Sequence, residues 1–202
     1  MLIPLPSARN ALAGALAAIV AAGATAIDAP ISGGPETLLG GTAGFFIGGD
    51  AHDVARFMPV AKILSDRIVH VGAIGSGATA RIVNNMMIAT DLQGLKEALS
   101  LGQQAGLAPE VMLPLLTGSP TANGILAARM GHFPGENDSV GFSVDGAVKG
   151  SAVFRAAAKE YGLTAPSLDA VAQSRKETQD MGHGGADIAA MIVTHLDRLK
   201  SP

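Results

Sequence analysis

Cysteine and tryptophan are absent from the 202 residues, and tyrosine occurs once. Without cysteine there is no disulfide, no thiolate metal ligand and no thiol nucleophile, which fits a reducing cytoplasm. Aromatic residues make up only 3% of the chain and charged residues 15%. The net charge is −3 with no run of Lys or Arg, so the clustered cations and stacking rings of a nucleic-acid surface are missing. The five histidines, His52, His70, His132, His183 and His195, stand at no metal-ligand spacing from one another or from a carboxylate pair. Each reads as an ordinary surface or interface residue, and no metal is expected. Ser32 has no His and Asp in a recognisable arrangement, which argues against a hydrolase triad.

What is present is small and apolar. Hydrophobic residues reach 48%, mostly Ala, Leu, Ile, Val and Met, and there are 26 glycines. Such a chain folds, and its small side chains suit closely packed helices. Residues 10–27 carry no charge until Asp28. That stretch has the look of a secretory signal ending at Ala24-Thr25-Ala26, but Leu12, Leu16, Ile19, Val20 and Gly23 recur at helical spacing. The periodicity favours an amphipathic helix packed on a sheet. Ala-rich segments insert weakly into bilayers, so no membrane span is expected.

Local patterns divide the chain in two. Residues 7–23 read as a helix, 24–29 as a strand, 42–48 as a strand, 51–64 as a helix capped by Asp50, and 67–71 as a strand. This order belongs to an α/β layer with too few strands for a complete doubly wound domain. From about Gly77 the chain reads as all helix: one long helix over 78–105, closed by Gly106, then helices near 109–116, 121–130, 143–161, 166–180 and 186–199. The centre of the long helix, Met86 to Thr90, is apolar on nearly every face and is expected to be buried all round. The expected fold is therefore a partial α/β domain over residues 1–74 followed by an all-α domain over 75–202.

Three segments carry chemistry. Gly75-Ser76-Gly77-Ala78-Thr79-Ala80 fits G-x-G-x-x-A between a strand and a helix, the dinucleotide fingerprint. The second parallel strand that a βαβ unit needs some thirty residues on is missing. A hinge that lets a helix N-terminus approach a ligand or another domain is the better reading. Asp28-Ala29-Pro30-Ile31-Ser32-Gly33-Gly34 runs from strand into turn, where bare N–H groups and a hydroxyl form either a carboxylate cradle or a plain turn. In Arg81-Ile82-Val83-Asn84-Asn85, Arg81 and Asn85 share a helix face. Two adjacent asparagines oppose helix propensity, and they either tie helices together or touch a ligand.

Taken in order, these segments resemble the β-hydroxyacid dehydrogenase family, which includes 3-hydroxyisobutyrate dehydrogenases and is related to 6-phosphogluconate dehydrogenase. The family pattern D-A-P-V-S-G-G matches Asp28 to Gly34, with Ile31 for Val. Its G-T-L…G-G stretch matches Gly41-Thr42-Ala43 through Gly48-Gly49, and G-x-G-x-x-x-K-x-x-N-N matches Gly75 to Asn85. F-x6-K-D matches Phe142 and Lys149, and G-x-G-x-x-D matches Gly182, Gly184 and Asp187. The resemblance implies the end of a Rossmann-type domain joined to a 6-phosphogluconate dehydrogenase-like helical domain. It also implies NAD or NADP as cofactor, a small carboxylate as substrate and a cytoplasmic homodimer. It places substrate at Ser32, Gly33, Gly34 and Asn85, and cofactor at Lys149. The reaction it implies is hydride transfer to or from a 3-hydroxy acid or its semialdehyde.

Three departures follow. Arg81 stands at the family's catalytic Lys position, and a guanidinium does not readily release a proton, so Arg81 is expected to clamp charge and not to shuttle protons. Gly150 replaces the Asp after Lys149. The family's front G-x-G-x-x-G half has no counterpart among these residues, so the chain reads as the C-terminal two-thirds. The competing expectation is a non-catalytic module, a truncated paralogue or fragment that binds carboxylates and dimerises.

Overall fold

The computed structural model describes residues 18–19, 21–133 and 139–200. Most of the helix expected over 7–23 lies outside them; residues 18, 19 and 21 are helical. The described chain is mainly helical with one small sheet, and it divides into two compact units. The first holds residues up to Asn85 together with Ala156–Leu163, and the second holds Met86–Arg155 and the chain from Thr164.

In the first unit, β1 (Ile31–Ser32), β2 (Gly44–Gly48) and β3 (Arg67–Gly72) lie side by side in that order. β1 runs antiparallel to β2 and β2 parallel to β3. The strand expected over 24–29 is displaced. Asp28 forms a lone bridge to Gly48, and the regular ladder starts only at Ile31. Pro30 explains the gap: its carbonyl accepts from Phe46 N–H, but proline has no N–H to return. A short helix α1 (Pro35–Leu39), which no pattern announced, follows the turn, and α2 (Ala51–Leu64) joins β2 to β3. Asp50 accepts from His52 N–H at 2.9 Å and starts α2, as its type predicts. Phe45 and Ile47 alternate inward along β2 and pack with Val54 and Ala61 of α2 into a small core. Ser65 Oγ fixes the next corner, donating to Ala43 O and accepting from Arg67 N–H at 2.9 Å.

The long helix α3 (Ser76–Gln104) begins in the first unit and continues in the second. There follow α4 (Pro109–Thr117), α5 (Gly124–Arg129) with a 3-10 turn over Met130–His132, α6 (Val144–Glu160), α7 (Pro166–Thr178) with a π-helical segment over Gln179–His183, and α8 (Ala190–Lys200). α5 starts three residues later than the pattern suggested, because Asn123 caps it by accepting from Leu126 N–H at 2.9 Å. Within the second unit, Leu92 and Leu99 of α3 meet Met112 and Leu113 of α4, Val144 and Ala147 of α6, and Ile188, Met191, Ile192 and Leu196 at and in α8. The expectation of all-round burial at the centre of α3 is corrected: Ala89 is fully buried but Met87 is 59% exposed. One stripe of the helix serves the core, and Met87 falls on another face.

Asp187, from the closing G-x-G-x-x-D pattern, is a buried tie. Its carboxylate pairs with Arg129 Nε at 2.8 Å, accepts from Gly141 and Phe142 N–H at 3.1 and 3.2 Å, and accepts from Ala189 N–H at 3.0 Å. Two cations also lie in this unit's interior. Lys96 Nζ donates to Ser174 Oγ at 2.7 Å. Burial pushes the Lys96 pKa down, and Glu177 and Glu97 oppose that. Arg175 donates from Nη1 to Ala147 O at 3.1 Å and to Ser151 Oγ at 3.0 Å. It has no carboxylate partner among the described residues, and its Nε is unsatisfied.

Burial lowers the Arg175 pKa to about 10. A lowered pKa on a base means that the unfolded chain binds the proton more tightly. The penalty is complete below about pH 10 and fades only as pH rises above it. At neutral pH it amounts to roughly 3 kcal/mol. Replacing a lone buried charge with an apolar side chain of similar size removes that cost. Arg175→Met is therefore expected to raise the urea midpoint, by about 1–3 kcal/mol of stability. A lowered midpoint would mean that the two donated hydrogen bonds outweigh the desolvation.

Candidate functional site

The G-x-G-x-x-A turn comes first, because the structure settles what its helix N-terminus holds. Asp28 Oδ1 accepts from Gly75 N–H and Asp28 Oδ2 from Ala78 N–H, both at 2.7 Å. The backbone of Asp28 is anchored in turn by two hydrogen bonds with Gly48, at 2.8 and 2.9 Å. The open end of α3 thus takes an anion, as helix dipoles and free N–H groups favour, and the anion is the chain's own carboxylate. Glycine is required for this fit. A Cβ on Gly77 would overlap the Phe46 carbonyl oxygen and stand 2.7 Å from Asp28 Oδ2. A Cβ on Gly48 would stand 2.7 Å from Ala73 O. The hinge reading is corrected in its object: the glycines let the helix approach Asp28, and no phosphate can use the same donors.

The Ser-Gly-Gly turn lies at the exit of β1. Ser32 is half-buried and paired with Gly44. Gly33 sits at φ 129°, a backbone region that L side chains rarely adopt. Thr37 closes the turn by donating from Oγ1 to Gly34 O at 2.8 Å. From α3, Asn84 Nδ2 donates to Ser32 Oγ at 3.1 Å, and also to Asn85 Oδ1 at 3.1 Å. The two motifs, 52 positions apart, are therefore joined by one hydrogen-bonded chain from Ser32 through Asn84 to Asn85.

Arg81 is half-buried one turn before Asn85 on α3, with no hydrogen bond or ion pair among the described residues. Lys149 belongs to the second unit, exposed on α6 and likewise without an ion partner among the described residues. The first unit contains Ser32, Gly33, Gly34, Arg81 and Asn85, of which Ser32 and Asn85 are joined through Asn84, and Lys149 stands in the other. The sequence pointed at the asparagine pair but singled out Asn85; the residue that makes the connection is Asn84. Asp28 was visible only as the first letter of a motif, since nothing in sequence spacing pairs it with residues 75 and 78. Among the described residues no group of three or more His, Asp or Glu side chains is placed to hold a metal, and no helix is long and apolar enough to cross a membrane.

Comparison with known proteins gives two family models. Residues 75–195 match the NAD-binding domain of NADP-dependent 3-hydroxyisobutyrate dehydrogenase, and residues 7–72 match the NAD-binding domain of 6-phosphogluconate dehydrogenase. Both are NAD-binding models, so the cofactor class is NAD or NADP. The 2-(hydroxymethyl)glutarate dehydrogenase of Eubacterium barkeri is 31% identical over 167 residues, 82% of this chain and 56% of that protein. The 3-hydroxyisobutyrate dehydrogenase of Pseudomonas aeruginosa is 40% identical over 106 residues, 52% of this chain and 36% of that protein. Among solved structures, the Mycobacterium tuberculosis 3-hydroxyisobutyrate dehydrogenase with L-serine superposes with a TM-score of 0.77 at 26% identity, covering 94% of this chain and 66% of that one. The chain spans about half or less of the length of these two curated relatives. With one family model covering more than half of its residues, the chain belongs to the β-hydroxyacid dehydrogenase family.

Proposed function

We propose that this chain serves NAD(P)-dependent interconversion of a small 3-hydroxy acid, 3-hydroxyisobutyrate-like, and its semialdehyde. The observation that carries the reading is the hydrogen-bonded chain from Ser32 through Asn84 to Asn85, which gathers both substrate motifs of the family at one place. In this reading the substrate carboxylate lies against Ser32 and the Gly33 and Gly34 amides, and Asn85 binds the same guest. Arg81 supplies a fixed positive charge that holds a carboxylate or polarises a carbonyl. The domain reading that goes with it is a partial Rossmann-type domain over 1–74 and a helical domain over 75–202. A homodimer and a cytoplasmic setting belong to the same proposal.

The residues fit the cofactor in one place and not in another. The Gly75–Ala80 turn fits its phosphates poorly, since the Gly75 and Ala78 amides are spent on the Asp28 carboxylate. Lys149 fits as a cation facing the cofactor, because its ammonium is exposed and has no anionic partner among the described residues. When bound, NAD(P)+ supplies the acceptor for a hydride from the hydroxyl-bearing carbon. This chain's residues orient the acid, and Arg81 cannot receive the hydroxyl proton.

That last point favours a second reading, a carboxylate-binding module without catalysis. Titration calorimetry separates the two. The enzyme reading expects heat with 3-hydroxyisobutyrate and with NAD+ or NADP+. Heat with the acid alone at millimolar nucleotide leaves the binding module. No heat with the acid overturns both.

A further inference from the structure

Asp91, near the middle of α3, has no cation in reach along its own helix: the positions three and four residues away hold Met87, Ile88, Gly94 and Leu95. It is half-buried, and among the described residues it has no ion pair and one hydrogen-bond partner. That partner is Asn123, whose Nδ2 donates to Asp91 Oδ2 at 3.2 Å. The amide of Asn123 is held in place, because its Oδ1 caps α5 by accepting from Leu126 N–H at 2.9 Å. Asp91 Oδ1 is left with open lone pairs. Beside this carboxylate lies a cavity of about 210 Å³, walled by Leu95, Leu116 and Ile125 and floored by Leu92 and Leu126. Leu92 and Leu126 belong to the core of the second unit, so packing the unit needs in any case sets the floor. Asp91 is the one charged residue that lines the cavity. A Cβ built on Gly94, which also lines it, would meet nothing within 4 Å.

We propose that this cavity binds a small organic ammonium: an apolar body the size of a benzene ring that carries one primary amine. An apolar cavity of roughly 150 Å³ holds benzene, so 210 Å³ leaves space for the ring and for the carbon that bears the nitrogen. The leucine and isoleucine walls take the body out of water, while the ammonium donates to Asp91 Oδ1 in a charge-assisted hydrogen bond. An alcohol of the same shape keeps the apolar contact and loses the charge. A carboxylate of the same shape meets Asp91 as a like charge. Every residue of the site belongs to the second unit. None comes from the Ser-Gly-Gly turn, so the proposal does not depend on the carboxylate reading.

The test titrates the full chain with benzylammonium and with benzyl alcohol, following the amide NMR shifts of residues 91–98 and 121–126. The wild-type chain should bind the ammonium about fivefold more tightly than the alcohol, the worth of a partly screened ion pair. Asp91→Asn keeps the side-chain shape and should bind the two probes equally. Gly94→Leu places a better helix former where the new side chain has open space, so the fold should hold while the filled cavity loses both probes. Equal binding of the two probes by the wild-type chain overturns the proposal, as does a preference that survives Asp91→Asn. Absence of shifts with either probe at millimolar concentration overturns it too. So does a wild-type dimer that Gly94→Leu breaks on light scattering, since the cavity then seats a second copy of the chain.

Discussion

Arg81→Lys is expected to raise the turnover of 3-hydroxyisobutyrate with NAD(P)+ about 100-fold. Oxidation of an alcohol sheds a hydride and a proton, and the proton needs a base at the oxygen that bears it. A guanidinium stays protonated through the whole working range, whereas an amine in a half-buried position loses its proton more easily. Position 81 lies one turn before Asn85 on α3, so in the proposed reading a lysine there reaches toward the guest that Asn85 binds. The variant should also acquire a pH dependence that the wild-type chain lacks: activity climbing with pH as the new amine loses its proton. Steady-state production of the reduced cofactor across pH 6–10 provides the measurement. Unchanged turnover in a variant that still binds the acid would show that residue 81 does not face the reacting oxygen.

Gly77→Ala is expected to cost about 3 kcal/mol, the upper range for forcing atoms into a packed site. Most such substitutions inside a helix are favourable, since alanine is the better helix former. Here the added methyl meets the Phe46 carbonyl oxygen and both the backbone and carboxylate oxygens of Asp28. To make room, α3 must withdraw from β2, and withdrawal breaks the hydrogen bonds from Gly75 and Ala78 to Asp28. Urea denaturation followed by circular dichroism reads the loss. A midpoint equal to that of the wild-type chain would mean that the helix can retreat freely and that the cap contributes little.

The part of the fold legible in the sequence is the part governed by period and punctuation. Gly106 and Pro166 marked a stop and a start, and Asp50 marked a cap, because each acts on residues within one turn of itself. Misplacement came where the decisive partner is remote. Asp28 bridges to Gly48, and Pro30 breaks the ladder around it, so the expected strand became a bridge and a two-residue edge. Nothing in the sequence marks Lys96 and Arg175 as buried, since burial depends on which helices close over them. At the site, the types and spacing of Ser32 and Asn85 were legible through family resemblance. The direction of the hydrogen bonds was not, and neither was the use of the helix end by Asp28.

Asp187 carries a consequence for how the second unit comes into being. Its carboxylate gathers Arg129, the turn at Gly141-Phe142 and the start of α8 into one knot, and α8 itself supplies Met191, Ile192 and Leu196 to the interior. Helices made earlier on the ribosome lack the part of the core that α8 supplies until those residues emerge. Assembly of this unit must then wait on closure of loops dozens of residues long, an entropic delay that short-range contacts would avoid. In the interval, the faces of α3 and α4 that α8 covers in the finished unit stay open to water.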